Sequence, residues 1–363
     1  MLGGMKTKKL EQLTFIRFVA AILVVIWHFG RDVFPFNTYA VDFFNKGDLG
    51  VSFFFFLSGF VMILAYGHKK QIDFYEYLKK RIARIYPVFV LAAMLVLFNK
   101  LISNSDYLNF KGLALHLSML QAWIPDYQLT YNIAAWTLSV EFLFYLLFPI
   151  IYNRFYSNSA ISKRVVFGIV FIWILTQLID YISTPSLFFT YENQLKIYYE
   201  YLRLHPLMHL NQFLIGNLAG IFFIRNNQQK NYDFLIIVNL ILIFIMLNYF
   251  FYLNLFHGLA LVLFAPFIFL ISSNNGKITE VLKTKPLIFL GEISYGIYIL
   301  QFPIFYLLEK FYRKLNFNNF TLRFYVSILI LIIISGISYV FFEKPMRKMI
   351  LNFKLKKKVK GSK

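Results

Sequence analysis

Apolar stretches of helical length, separated by short polar connections, recur near residues 13–29, 51–66, 85–102, 134–152, 165–182, 206–224, 234–252, 256–271, 287–308 and 324–342. An α-helix rises about 1.5 Å per residue, so segments of this length cross most of a hydrocarbon layer about 30 Å thick. The pattern predicts an all-α polytopic membrane protein with about ten transmembrane helices. No internal repeat is visible, and no separate soluble domain interrupts the series. The run from Lys111 to Trp123, KGLALHLSMLQAW, is placed as an outer amphipathic or re-entrant segment. Counting it as a further span would invert everything after it.

The basic residues test this arrangement. With the N-terminus inside, 26 of the 37 lysines and arginines fall on inner segments and 10 on outer ones, while Arg17 lies within the first span. That asymmetry predicts that both termini are cytoplasmic. Lys6, Lys8 and Lys9 before an apolar run resemble a signal peptide, but GRDVFPF follows in place of a small-residue cleavage site, so the first span is expected to be uncleaved. Residues 1–343 are read as one membrane domain and 344–363 as a basic cytoplasmic tail attracted to anionic membrane lipid. Glu343-Lys344-Pro345 is read as a helix stop at the inner surface.

Composition narrows the class. At 59% hydrophobic and 15% charged residues, the chain is too apolar for a soluble protein of 363 residues. The net charge of +20 would by itself admit a nucleic-acid partner. The basic residues are spread over loops and a tail, however, so the reading is no nucleic acid. With no cysteine there is no disulfide, no thiolate metal site and no acyl-cysteine intermediate.

Chemistry enters through polar residues inside the apolar runs. LTFIRFVAAILVVIWHF, the first span, carries Arg17 and His28. A charged group at mid-membrane costs roughly 2.5–3.5 kcal/mol on the insertion scale. Eleven residues at about 100° each make three turns and about 20°, so the two share one face about 16 Å apart along the axis. GVSFFFFLSGF sets Gly50, Ser58 and Gly59 among phenylalanines. Small residues there serve close helix approach, and nothing nearby marks a base that would make Ser58 a nucleophile. KKRIARIYP puts Arg81 and Arg84 three residues apart on one helix face. Topology alone accounts for basic residues there, while arginines at that spacing also suit phosphate. WTLSVEFLFYLLFP holds Glu141, with no basic neighbour in sequence. Since His28 ends its own helix on the outer side and Glu141 is read in the outer half of its helix, the two are expected to face each other. LGEISYGIYILQFPIF carries Glu292 at its inner end, then Ser294, Tyr298 and Gln301 as one polar stripe, for helix packing or for a substrate path. Ser58, Ser294, Tyr298 and Gln301 are assigned to the substrate cavity. His205 and His209 have i, i+4 spacing without an evident third ligand, so no metal is expected.

Together with FFEKPMRK, these six segments in this order resemble acyltransferase family 3, integral membrane proteins that include bacterial O-acetyltransferases of surface polysaccharides. The resemblance runs along nearly the whole chain. It implies about ten spans and transfer of an acyl group, usually acetyl from cytoplasmic acetyl-CoA, to a hydroxyl across the membrane. It implies that His28 is the catalytic histidine, that Arg17 is its partner in the first-helix motif, and that Arg81 and Arg84 meet the CoA phosphates. Glu141 matches the acidic residue of the fourth span. This chain departs from the pattern at Gln301, where many members have histidine, and at Ser52, where many have an acidic residue or histidine. Members with a fused extracellular esterase-like domain have a second step with no counterpart in these residues.

The sequence thus reads as a bacterial cytoplasmic-membrane O-acyltransferase with acyl-CoA as co-substrate, no cofactor, and a polysaccharide or lipid-linked glycan as acceptor. His28, held by Glu141, is expected to deprotonate the acceptor hydroxyl, directly or with an acyl group resting first on His28 or a serine. Acceptor choice is assigned to the outer loops 30–48 and 184–205. The alternative is a transporter or flippase of a small solute or lipid-linked glycan. It explains the first helix equally well and the arginine pair and ordered motifs less well. A scaffold without chemistry leaves Arg17, His28 and Glu141 unexplained.

Overall fold

A computed structural model of the chain describes residues 10–102, 109–157, 161–183, 193–226, 228–249 and 254–353. Its helices are α1 (Gln12–Phe29), α2 (Val41–Asn45), α3 (Leu49–Tyr66), α4 (Phe74–Ile102), α5 (Phe110–Leu117), α6 (Trp136–Ile151), α7 (Lys163–Ser183), α8 (Asn193–Leu204), α9 (Pro206–Asn226), α10 (Asp233–Tyr249), α11 (Leu261–Ser273), α12 (Lys277–Leu282), α13 (Lys285–Lys314), α14 (Phe320–Ser338) and α15 (Lys344–Asn352). Among the described residues there is no strand, only one isolated bridge between Lys230 and Asn274. Eight helical stretches among the described residues are long and apolar enough to cross a membrane, and α10 and α11 are shorter apolar helices of 17 and 13 residues. Every apolar segment read from the sequence falls on one of these. The chain is an all-α polytopic membrane protein. Lys6, Lys8 and Lys9, loop residues 184–192, the end of the segment 234–252 and the KLKKKVK tail lie outside the described residues.

Lipid tails are as apolar as leucine, so close packing rather than hydrophobic exclusion must hold such helices together. The α3–α9 contact shows how. A Cβ on Gly59 would run into the Phe213 carbonyl and one on Gly216 into the Phe56 carbonyl, so each helix lays its backbone on the other's glycine. The small residues of GVSFFFFLSGF therefore serve close approach through Gly59, while Ser58 stays half-buried beside a cavity.

The helix that organises the bundle is α13, which packs on α1, α4 and α14. Pro303 lies inside it and has no N–H for the Ile299 carbonyl one turn back. Asn132 supplies the missing donor, its Nδ2 reaching that carbonyl at 2.8 Å, and Asn99 Nδ2 reaches the Pro303 carbonyl at 3.0 Å. A proline that would leave a buried acceptor unsatisfied instead pins the chain before α6, and also α4, to the middle of α13. The side chains on the outward faces of α7 and α10, among them Phe167, Phe171, Ile237 and Ile241, are exposed and apolar, as a lipid boundary requires.

Two local expectations meet different outcomes. The Lys111–Trp123 run forms the eight-residue α5 and a short 3-10 turn at Gln121–Trp123, too short to cross, and Gln121 Nε2 ties it to the Ala135 carbonyl at 2.7 Å. The helix stop read at Glu343-Lys344-Pro345 is overturned. The helical path continues from α14 through a π-type turn, Tyr339–Glu343, into α15, and Pro345 falls in the first turn of α15, where its fixed φ is compatible with the helix. Lys79 Nζ caps the far end of α15 at the carbonyls of Leu351, 3.0 Å, and Phe353, 2.6 Å.

Candidate active site

Arg17 and His28 lie on one face of α1, against α13, where Gly291 lets the backbone of α13 pass over Thr14. Each opens into a different space. At the end where α1 begins, here called lower, Arg17 shares a cavity with Ser58, Arg81, Arg84, Glu141 and Tyr145. Arg81 and Arg84 come from the second and third turns of α4, and Glu141 and Tyr145 from α6, one turn apart. Tyr145 donates its hydroxyl to Glu141 Oε2 at 2.5 Å, and Tyr295 ties α13 to α4 through the Ile85 carbonyl at 3.0 Å. The Arg81 guanidinium lies over the rings of Tyr77 and Tyr66 at 5.3 and 5.5 Å, with its buried Nε unpartnered.

The charge balance of this cavity is unusual. Arginine stays protonated in proteins, so three positive groups face one carboxylate. Among the described residues none of the three closes an ion pair with Glu141 within 4.0 Å. Arg84 lies within electrostatic reach of Arg17, Glu141, Glu343 and Arg347, so one carboxylate and one further arginine follow past the cavity toward α15. Guanidinium groups in excess around an open space make a site for a polyanion.

Above this cavity a second, small space is lined by Arg17, Thr137, Glu141, Ser294, Tyr295 and Tyr298, among others. Here the lower part of the α13 stripe lines a space. Ser294 is buried with its hydroxyl on the Gly291 carbonyl at 2.7 Å, and the Tyr298 hydroxyl reaches the Ala134 carbonyl at 3.4 Å. One turn higher, the fully buried Gln301 donates Nε2 to the Tyr298 carbonyl at 2.7 Å and sets its Oε1 3.0 Å from His28 Nδ1. Edge contacts with Trp27 and Phe302, centroids 4.5 and 4.7 Å away, clamp the imidazole.

His28 also forms part of an upper pocket, roomier than the lower cavity, with Arg31, Asp32, Tyr306, Glu309 and Arg323 on its walls. Arg323 Nη1 grips both oxygens of Glu309 at 3.2 and 3.4 Å, and its Nε donates to the Phe317 carbonyl. Aromatic faces beside fixed polar groups suit a hydroxylated ligand.

The expected His28–Glu141 pairing is not made. His28 meets Gln301, and Glu141 lies in the lower cavity with Arg17. The reason lies before α6. Asn132 and Ala134 reach Ile299 and Tyr298, so the chain enters α6 already a turn below Gln301, and seven further residues carry Glu141 about 10 Å lower still. Of the other residues singled out in the sequence, Arg17, Ser58, Arg81 and Arg84 lie around the lower cavity, and Ser294, Tyr298 and Gln301 lie between it and His28. The sequence reading misses Tyr145 and Tyr295. Tyr145 is findable as the i+4 neighbour of Glu141. It also misses the Arg31, Asp32, Glu309 and Arg323 walls, whose grouping depends on α14 folding back beside α13.

A second buried polar cluster lies apart from this path. His257 Nδ1 meets Asp180 at 2.7 Å, and the Nε2 atoms of His257 and His209 meet the Arg203 carbonyl at 3.2 and 3.0 Å, while the Arg203 side chain pairs with Asp48 at 3.0 Å. Burial pushes the Asp48 carboxyl above the usual carboxylate range against the opposing pull of Arg203. His205 faces Trp123 and Tyr201 instead, so the i, i+4 pair does not converge. No group of three or more metal-ligating side chains forms among the described residues.

A family model described as an acyltransferase domain, acyltransferase family 3, matches residues 10–341. An O-acetyltransferase of Staphylococcus aureus, OatA, is 23% identical over 365 residues, covering 92% of this chain and 56% of its own. The acyltransferase MdmB of Streptomyces mycarofaciens is 30% identical over 155 residues, 40% of each chain. Both alignments take in about half or less of the relative's own length. No solved structure matches the chain.

Proposed function

Because this chain belongs to acyltransferase family 3, we propose that it is an O-acyltransferase that moves acetyl from cytoplasmic acetyl-CoA to a hydroxyl of a cell-surface or lipid-linked polysaccharide in a bacterial cytoplasmic membrane. The observation that carries this reading is the lower cavity, with three guanidinium groups against one carboxylate, joined by the α13 stripe to a histidine at the floor of a separate upper pocket. Such a layout suits a polyanionic donor entering from one side and a neutral hydroxyl from the other. The similarity to OatA, an O-acetyltransferase, supports acetyl as the group and a hydroxyl as the acceptor.

In this mechanism Arg81 and Arg84 hold the CoA phosphates, and Arg17 with Glu141 sets the field deeper in the cavity. The pantetheine arm follows Ser294 and Tyr298 upward until the thioester lies beside His28. His28 takes the proton of the acceptor hydroxyl as that oxygen attacks the thioester carbonyl. The C–S bond breaks, the ester forms, and the proton passes from the imidazolium to the leaving CoA thiolate. General-base help of this kind contributes about 10²–10⁴-fold. The test is release of free CoA from acetyl-CoA by purified protein in nanodiscs, with and without membrane glycan from a bacterial envelope. Glycan-stimulated release supports the reading, and well-folded protein that neither binds nor turns over acetyl-CoA refutes it.

A further inference from the structure

His28 lacks the carboxylate partner expected of a histidine base, so something else must decide which ring nitrogen is basic. Gln301 is fully buried, and its amide Nε2 is committed to the Tyr298 carbonyl at 2.7 Å. Turning the amide over would set its oxygen against that carbonyl, acceptor against acceptor. The group facing His28 Nδ1 at 3.0 Å is therefore the amide oxygen, which can only accept. Nδ1 thus carries the hydrogen, and Nε2 keeps its lone pair.

From this we propose that Gln301 is a positioning residue that fixes the His28 tautomer and so makes Nε2 the base; the proposal rests on the reading of His28 as general base. Its support reaches back to Pro303, because the Asn132 bond to the Ile299 carbonyl holds the turn of α13 from which Gln301 projects. A neutral amide orients the ring without placing a negative charge beside it, as a carboxylate would. The charged and titratable groups around the His28 pocket are Arg31 and Asp32 after α1, Tyr306, Glu309 and Tyr312 on α13, and Arg323 on α14. Glu309 is already engaged by Arg323 and Arg313, the latter at 2.9 Å. The amide therefore sets the tautomer while the ring stays neutral enough to accept a proton.

The test uses full-length protein in nanodiscs with ¹⁵N-labelled histidine, the His28 signals being identified by their loss in His28→Gln. Wild type is expected to show a protonated Nδ1 and a bare Nε2. Gln301→Leu is expected to lose that single tautomer and to lower kcat about tenfold or more with acetyl-CoA affinity unchanged, within the range a general base supplies. Gln301→Glu is expected to restore the tautomer and to move the acidic limb of the pH–rate profile to higher pH, since a carboxylate beside Nδ1–H favours the imidazolium. A protonated Nε2 in wild type would overturn the proposal. So would a Gln301→Leu protein with wild-type tautomer and pH profile while His28→Gln is inactive. Transfer retained in His28→Gln would instead remove the general-base reading, and the proposal with it.

Discussion

Arg17 and His28 share one face of α1, yet Arg17 opens into the lower cavity with Arg81, Arg84 and Glu141 while His28 opens into the upper pocket with Arg31 and Glu309. About 16 Å of helix separates them. The polar side chains that fill that interval are not on α1 but on α13, joined by Thr137 of α6. One helix thus carries a polar group for each side of the membrane, and its neighbour carries the connection.

The position of Glu141 yields the first prediction. Among the described residues it is the sole carboxylate lining the lower cavity, so Glu141→Gln should tighten acetyl-CoA binding by a few-fold, the scale of about 1 kcal/mol for one charge acting across a partly hydrated space. Isothermal titration with CoA reads this directly. Unchanged CoA affinity together with abolished turnover would mean that Glu141 acts on His28 after all.

Asn132 should matter for stability out of proportion to its size. Asn132→Ala leaves the Ile299 carbonyl, freed by Pro303, without its donor in the bundle interior. Such a loss costs about 1–3 kcal/mol. The melting temperature in detergent should fall and turnover should drop as Gln301 loosens, while CoA affinity holds. A wild-type melting temperature would show that water replaces the amide.

Much of this is legible in the sequence, for a physical reason. Polar groups are costly in lipid, so Arg17, His28, Glu141 and the α13 stripe stand out against their apolar surroundings, and helical periodicity shows which of them share a face. What periodicity does not give is the height at which one helix meets another. Pairing Glu141 with His28 requires α6 to start at the membrane surface, whereas Asn132 and Ala134 already lie beside the middle of α13. The helix stop at Pro345 fails for a related reason, since proline ends a helix from its interior but is accommodated in a first turn, and the π-type turn before it resets the count. The walls of the upper pocket are hidden because Glu309 and Arg323 are joined only by the fold of α14.

The α3–α9 contact predicts opposite outcomes for two glycines. Gly216→Leu drives a side chain into the Phe56 carbonyl and should destabilise the bundle by about 1–3 kcal/mol. Gly168, in α7, has nothing within 4 Å of the point a Cβ would occupy, so Gly168→Ala should be neutral or gain up to about 1 kcal/mol from helix propensity. Thermal unfolding of both variants in one detergent checks the pair, and equal melting temperatures would contradict the packing described.

The central claim, that a cationic lower cavity holds the donor while His28 performs the transfer, is tested most directly by measuring acetyl-CoA binding and thioester turnover separately in wild type, Arg84→Ala and His28→Ala. Arg84→Ala should weaken binding by about 10–150-fold, the equivalent of about 1.5–3 kcal/mol for a charge-assisted bond to phosphate. His28→Ala should bind like wild type and lose turnover by about 10²-fold or more. Full turnover in His28→Ala, or undiminished binding in Arg84→Ala, would contradict the account.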